Sequence, residues 1–187
     1  MVKTRRVLDR DSVVNKAAEI ADEIGLERLT MSLLADRLNV RPPSIYNHVK
    51  NLDDLYNQLT YKGIRDLQAT LENSVLHTDE DKRLAAMSKV VRVFARQNPT
   101  LFLCASRNFS LSNEEFEHAT AGLLKVIDNG FSSLQLGAEK SLLSQMFLRC
   151  LINGFISLEA NNALGPAQDT DILFDRMIDM ANRAILD

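Results

Sequence analysis

The stretch LTMSLLADRLNVRPPSIYNHVKN, from Leu29 to Asn51, decides the fold. Thr30 suits a helix N-cap, because its hydroxyl can accept from a first-turn amide that lacks an intrahelical partner. Behind it Leu34, Ala35 and Leu38 recur at helical spacing, so a short helix with one apolar face is expected. It should end near Asn39, since asparagine tolerates left-handed backbone and can turn the chain into Val40. Two prolines follow Arg41. They would break a helix interior, but at the first turn they remove only amides that are orphaned anyway, so Pro42 and Pro43 fix a start. The helix predicted from Pro42 to Val49 faces inward through Ile45 and Val49.

Upstream, Val13, Ala17, Ile20, Ala21 and Ile24 trace one helical face between Ser12 and Ile24, and Gly25 is a natural stop. Three helices in this order contain a helix-turn-helix. Its inward side is Leu34, Ala35, Leu38, Val40, Ile45 and Val49, with the small Ala35 permitting a close crossing. Its outward side carries Ser44, Tyr46, Asn47, His48 and Lys50, which can hold phosphates or read base edges in a major groove. A polar surface helix with no DNA role has the same look. A helical interaction module is therefore the competing reading.

Charge is unevenly distributed. The whole chain of 187 residues carries a formal net charge of −3, but residues 1–50 hold nine basic against seven acidic side chains. Lys3, Arg5, Arg6 and Arg10 crowd the first ten residues against Asp9 alone, which suits a phosphate-contacting arm or an ordinary solvated terminus. The 45% hydrophobic content supports a substantial core. No uninterrupted apolar run approaches the roughly 20 residues needed to cross a bilayer, and Met1 to Arg10 holds no apolar signal segment, so a soluble cytoplasmic protein with no membrane partner is expected. Cys104 and Cys150 lie far apart in apolar contexts, as expected of buried, reduced thiols.

From Leu29 to Asn51 the sequence resembles the DNA-binding segment of the tetracycline-repressor (TetR) family. The run from Pro43 to Asn51 is especially similar to the recognition helix of the tetracycline repressors themselves. A Tyr followed two residues later by His or Phe is a hallmark there, and Tyr46 and His48 occupy those places. The resemblance implies that Tyr46, His48 and Lys50 hold phosphates while Arg41, Pro42, Ser44 and Asn47 face bases. Asn39 replaces the usual Gly, and Arg41-Pro42 replaces a commoner small or polar pair, so the operator sequence does not carry over. The candidate DNA-binding set is Lys3, Arg5, Arg6, Thr30, Ser32, Arg41, Pro42, Pro43, Ser44, Tyr46, Asn47, His48 and Lys50. Residues 151–159 resemble a C-terminal domain type of the family named for a Trp-His-Gly signature, with Gly154 kept and Leu151 and Asn153 in the other two places.

The whole chain reads as all-α, with a DNA-binding domain at 1–50 and a ligand-binding and dimerisation domain at 51–187. Asn51 caps a long linking helix through Leu55, Leu59, Ile64, Leu67 and Leu71. Thr78 and the acidic Asp79, Glu80 and Asp81 open the next, with Leu84, Met87, Val90, Val91 and Phe94 inward; its Lys89, Arg92 and Arg96 form an opposite stripe expected to face solvent. Leu101 to Ser106 is a short helix after Pro99. Ser112 and Glu115 form a capping box for a helix ended by Gly130. The most apolar helix follows Gly137, with one stripe running from Leu142 through Phe155 to Leu158 and a second face of Gln145, Arg149, Ile152, Asn153 and Ile156. After Gly165-Pro166 comes a last helix facing inward through Phe174, Met177, Ile178, Ala181 and Ile185.

The last two helices are expected to pair with those of a second copy as a four-helix bundle. Met87, Phe94, Phe102, Phe109, Met146 and Phe147 suit the lining of an apolar effector pocket, with Arg149 and Asn153 as orienting contacts. Ordinary core packing explains the same residues. The chain has no phosphate-binding Gly-rich loop, paired zinc ligands or nucleophile elbow, and His77 and His118 are isolated. A ligand-released repressor on a palindromic double-stranded operator is expected, or an activator in its place, and not an enzyme; no metal or cofactor is expected.

Overall fold

The computed structural model describes residues 8–106, 114–165 and 169–186. Among these are nine α-helices and no strand: α1 (Arg10–Ile24), α2 (Met31–Leu38), α3 (Pro42–Tyr46), α4 (Leu52–Leu76), α5 (Arg83–Gln97), α6 (Pro99–Ser106), α7 (Glu114–Phe131), α8 (Ala138–Ala160) and α9 (Thr170–Leu186). The all-α expectation therefore holds. Two compact units divide the chain, one taking Met1–Ile64 with Asn98–Phe116 and the other Arg65–Gln97 with Glu117–Asp187. The first unit thus reaches beyond the 1–50 segment, drawing in the first half of α4 and all of α6.

In the first unit, α1 is set by a reciprocal box. The Ser12 amide donates to Asp9 Oδ1 at 2.7 Å and the Asp9 amide to Ser12 Oγ at 3.0 Å. The Ser12 amide, helped by the Ser12 hydroxyl, holds the Asp9 carboxyl below its ordinary range. Val13, Ala17 and Ile20 are buried completely, and Gly25 ends the helix at φ +90, donating its amide to the Ala21 carbonyl. Tyr56 on α4 donates to the Leu26 carbonyl at 3.3 Å. α6 joins the same unit through its first turn, where the Thr100 amide donates to Asp22 Oδ1 on α1 at 2.7 Å. Gly63 on α4 lies so close to the Leu101 carbonyl that a Cβ would collide with it. Behind Leu101, Cys104 is fully buried.

The second unit has one apolar core: Leu84 of α5, Phe131 of α7, Leu148, Ile152 and Phe155 of α8, and Phe174, Ile178, Ala181 and Ile185 of α9. Several expectations change here. α5 begins at Arg83, after a 3₁₀ turn over Glu80–Lys82, and not at the acidic run. α7 continues past Gly130 to Phe131; the left-handed residue is Gln135, at φ 50, and Gly130 instead lets the Met87 thioether lie against the helix backbone. The expected Ser112–Glu115 box lies outside the described residues, as does Pro166. On α8 the buried face is Ser144, Leu148, Ile152 and Phe155. Leu142, Leu143, Met146, Phe147 and Leu158, which share one apolar stripe with Phe155 in the sequence, are exposed in the single chain while Phe155 is buried. Cys150, expected to be buried, is exposed among them.

By length and composition α8 could cross a membrane, with a mean hydropathy of 1.3. It nevertheless carries Glu139, Lys140, Arg149 and Glu159, and one face belongs to the core just described.

The basic stripe of α5 also departs from expectation. Arg92 is buried, its side chain only 7% exposed, and its guanidinium lies over the rings of Phe155 and Phe174 at 5.0 and 4.7 Å. Glu159 explains how a charge is tolerated there. Its carboxylate takes two hydrogen bonds from Arg92, at 2.6 and 3.2 Å, and two from Arg96, at 2.7 and 3.2 Å. Asp171, at the start of α9, reaches both arginines at 2.9 and 3.1 Å. Burial pushes the Glu159 carboxyl upward, but the two guanidiniums outweigh it and bring the group down to about 2. Lys89 pairs with Asp175 at 2.9 Å.

Candidate nucleic-acid interface

Local chemistry places the reading turn. Thr30 Oγ1 accepts from the Leu33 amide at 3.2 Å, opening α2, and Asn39 closes it in the left-handed conformation at φ 55 and ψ 44. The Val40 amide returns to the Ala35 carbonyl at 3.0 Å. Arg41 is extended, as a residue before proline must be, and Pro42 and Pro43 occupy the first two positions of α3.

α3 is shorter than expected and ends at Tyr46. The amides of His48 and Val49 both turn back to the Ile45 carbonyl, at 2.9 and 3.1 Å. The cause lies in the next helix. Asn51 Oδ1 accepts from the Asp54 amide at 2.8 Å while Asp54 Oδ2 accepts from the Lys50 amide at 2.8 Å, so the chain must straighten before α4. Asn51 therefore caps as expected.

Leu34, Ala35 and Ile45 are fully buried and Val49 nearly so, which anchors the turn on its inward side; Leu38 and Val40 are half-buried. Arg41, Pro42, Pro43, Tyr46, Asn47 and Lys50 are exposed, Ser44 and His48 half-buried, and Thr30 and Ser32 exposed at the head of α2. Tyr46 leaves 52% of its surface in solvent, a large exposure for an aromatic side chain with no structural reason to be outside. No acidic residue occurs from Arg37 to Asn51, so the reading turn itself brings no carboxylate to a phosphate backbone. Lys3, Arg5 and Arg6 lie outside the described residues.

Arg10, grouped in the sequence with the basic residues of a phosphate-contacting arm or a solvated terminus, is held in place. Its Nε donates to the His48 carbonyl at 3.1 Å, tying the start of α1 to the end of the reading turn. Arg37 is likewise engaged, with Glu23 at 2.8 Å.

The suggested pocket residues have different settings within their own units. Met87 and Phe94 are buried on α5, whereas Met146 and Phe147 are exposed on α8 together with Arg149. Asn153 is half-buried on α8, Phe102 is half-buried on α6 in the first unit, and Phe109 lies outside the described residues. The cluster of Arg92, Arg96, Glu159 and Asp171 went unread in the sequence. Its one signal was the basic stripe of α5, in which Arg92 and Arg96 stand a single turn apart.

Comparison with known proteins agrees with this geometry. The chain is 29% identical over 168 residues to the uncharacterized HTH-type transcriptional regulator YobS of Bacillus subtilis, an alignment covering 87% of this chain and 84% of that one. It is 30% identical over 95 residues to the tetracycline repressor protein class D of Escherichia coli, covering 51% of this chain and 38% of the repressor. Its fold is similar to that of a TetR variant from Acinetobacter baumannii crystallised in complex with minocycline, with a TM-score of 0.67, 19% identity, and coverage of 95% and 96% of the two chains. Residues 84–181, more than half of the chain, match the family described as tetracyclin repressor-like, C-terminal domain. The chain thus belongs to the tetracycline-repressor (TetR) family of transcriptional regulators.

Proposed function

We propose that the protein is a cytoplasmic transcriptional repressor that binds a palindromic operator as a homodimer and is released by a small, largely apolar effector. The observation that carries this reading is the α3 turn, where Arg41, Tyr46, Asn47 and Lys50 stand in solvent around a fully buried Ile45. A structural helix of five residues has no need to end on an exposed tyrosine. A reading element that enters a major groove does. Gel-shift assays on genomic fragments test it. Salt-sensitive retention of particular fragments is expected, and absence of binding at low salt would leave a helical interaction module.

Dimerisation is supported by the outer side of the last two helices. Leu142, Leu143, Met146, Phe147 and Leu158 of α8, with Ile172 and Met180 of α9, are exposed at helical spacing. Apolar surface of that kind on helices is the usual material of a bundle between copies. One short reading turn covers few bases, and a twofold axis doubles it, which makes the operator palindromic.

For the effector, the relative crystallised with minocycline shows what another member of the fold binds. In this chain Met87 and Phe94 remain the candidates for an apolar lining within the second unit, while Met146, Phe147 and Arg149 go with the exposed face of α8. The effector must favour the state whose reading turns are wrongly spaced for DNA, since equal affinity for both states shifts nothing. α4 is one continuous helix with its first half in one unit and its second half in the other, and so is the covalent route for the change. A thermal-shift screen followed by operator-release assays tests this part. Ligands that stabilise the protein and leave operator affinity untouched would end the coupling claim.

A further inference from the structure

We propose that Arg41 is a specificity-determining residue that reads a guanine in each half-site of the operator. The inference rests on the DNA-binding reading above and adds to it the identity of a base.

Cations in and around the helix-turn-helix fall into two groups. Arg10 is held by the His48 carbonyl, Lys16 by Glu19 and Arg37 by Glu23. Among the described residues the side chains of Arg41 and Lys50, which bracket the reading turn, make no hydrogen bond or ion pair, and both are exposed. Arg28 is uncommitted too, but it belongs to the connection between α1 and α2 and not to the turn.

The two bracketing cations stand on different supports. Lys50 follows the end of α3, on a compact ammonium that suits a phosphate as a point charge. Arg41 precedes two prolines, so its own backbone is confined to the extended region, observed at φ −75 and ψ 141, and the backbone that follows is fixed at the proline φ. A rigid carrier matters little for a phosphate clamp. It matters a great deal for a planar donor fork that must meet the O6 and N7 acceptors of guanine edge-on, because bidentate recognition tolerates little angular error. The leading end of a reading element is also the part that reaches base edges, while flanking positions meet the backbone. Pro42 and Pro43 bring no amide and no charge, and Ser44 already donates its amide to the Arg41 carbonyl at 2.9 Å. The first three residues of α3 therefore offer the DNA no free amide. The Arg41 guanidinium is the strong donor left there.

Selection from randomised duplexes with the wild-type protein should enrich palindromic sites with an invariant guanine in each half. Replacing that guanine, or substituting 7-deazaguanine to delete only the N7 acceptor, should weaken wild-type binding roughly tenfold or more. Arg41→Ala, checked for folding by circular dichroism, should bind the guanine and 7-deazaguanine sites equally. Arg41→Gln should shift the selected base toward adenine, which pairs with an amide side chain at the same edge. A selected site without a fixed guanine would overturn the proposal while leaving operator binding intact. So would an Arg41→Ala protein that binds every sequence more weakly but keeps the guanine preference and loses about one unit of salt dependence, since that is the behaviour of a phosphate contact. Failure of the wild-type protein to enrich any sequence would overturn both this proposal and the reading beneath it.

Discussion

Lys50 and Asn47 sit within a few residues of each other at the end of the reading turn, both exposed, and chemistry separates what their removal should do. Lys50→Ala should weaken binding to all sequences alike and flatten its salt dependence, because a phosphate contact carries no sequence information. Asn47→Ala or Ser44→Ala should relax specificity, at about 1 to 3 kcal/mol for each lost base contact. Competition gel shifts with point-substituted operators distinguish the two patterns. If replacing Tyr46, His48 and Lys50 together by Ala left operator affinity unchanged, the reading head would have to lie elsewhere. At this scale the sequence was readable wherever the deciding interaction is local. Thr30, Asn39, Pro42 and Asn51 each act on backbone within four residues, so their roles follow from residue type and order. Arg10 was not readable in this way. Its partner, the His48 carbonyl, is 38 residues away, and a backbone acceptor leaves no mark in the sequence.

At the scale of elements, two contacts decide how helices meet. Alanine is ordinarily better than glycine in a helix by up to about 1 kcal/mol. Gly63→Ala should reverse that sign, because the added Cβ collides with the Leu101 carbonyl, and backbone of α6 cannot move aside as a flexible side chain could. Overpacking of this kind costs about 1 to 3 kcal/mol, so the thermal midpoint should fall by several degrees. A rise would show that α4 and α6 separate easily. The second contact is the clasp of α5 on α8 and α9 through Glu159. Its carboxyl is held at about 2 against an ordinary 4.5. A depressed folded value means stability that is fully present above about 4.5 and lost as pH falls toward 2, amounting to at most about 3 kcal/mol. Glu159→Gln should therefore destabilise the protein at pH 7, where it leaves the buried Arg92 with Asp171 alone, and its deficit against wild type should shrink by pH 3 in denaturant melts. A deficit constant with pH would mean the effect is packing. Helix existence was legible from periodicity here, but the faces were not. α8 is apolar around most of its circumference, so spacing alone could not say which stripe meets Phe174 and which meets solvent. The burial of Arg92 depended on an acid 67 residues further on.

For the whole molecule, an apolar helix with a sequestered side and a bare side raises the question of what covers the second. The buried side of α8 is accounted for by the core of its own unit. The bare side carries Leu142 and Leu143, each 62% exposed, with Phe147 at 46%. A second copy is the economical partner, since a twofold axis sets each stripe against its own image and needs no further protein. Sedimentation of the wild-type protein at micromolar concentration should show a dimer. Phe155 and Met177 are poor places to test this, because Phe155 is buried and Met177 packs against the core, so a charge at either would unfold the unit. Leu143→Asp or Phe147→Asp is better placed. Each puts a charge on surface already in solvent, so the monomer should keep its helical circular dichroism while the dimer is lost to two like charges facing each other without water. Affinity for a full palindrome should then drop toward that for an isolated half-site, because two turns no longer bind as one body. A wild-type protein that sediments as a folded monomer would sink the idea. Variants that stay dimeric and keep full operator affinity would move the interface off this face of α8, leaving the bare stripe for a different partner.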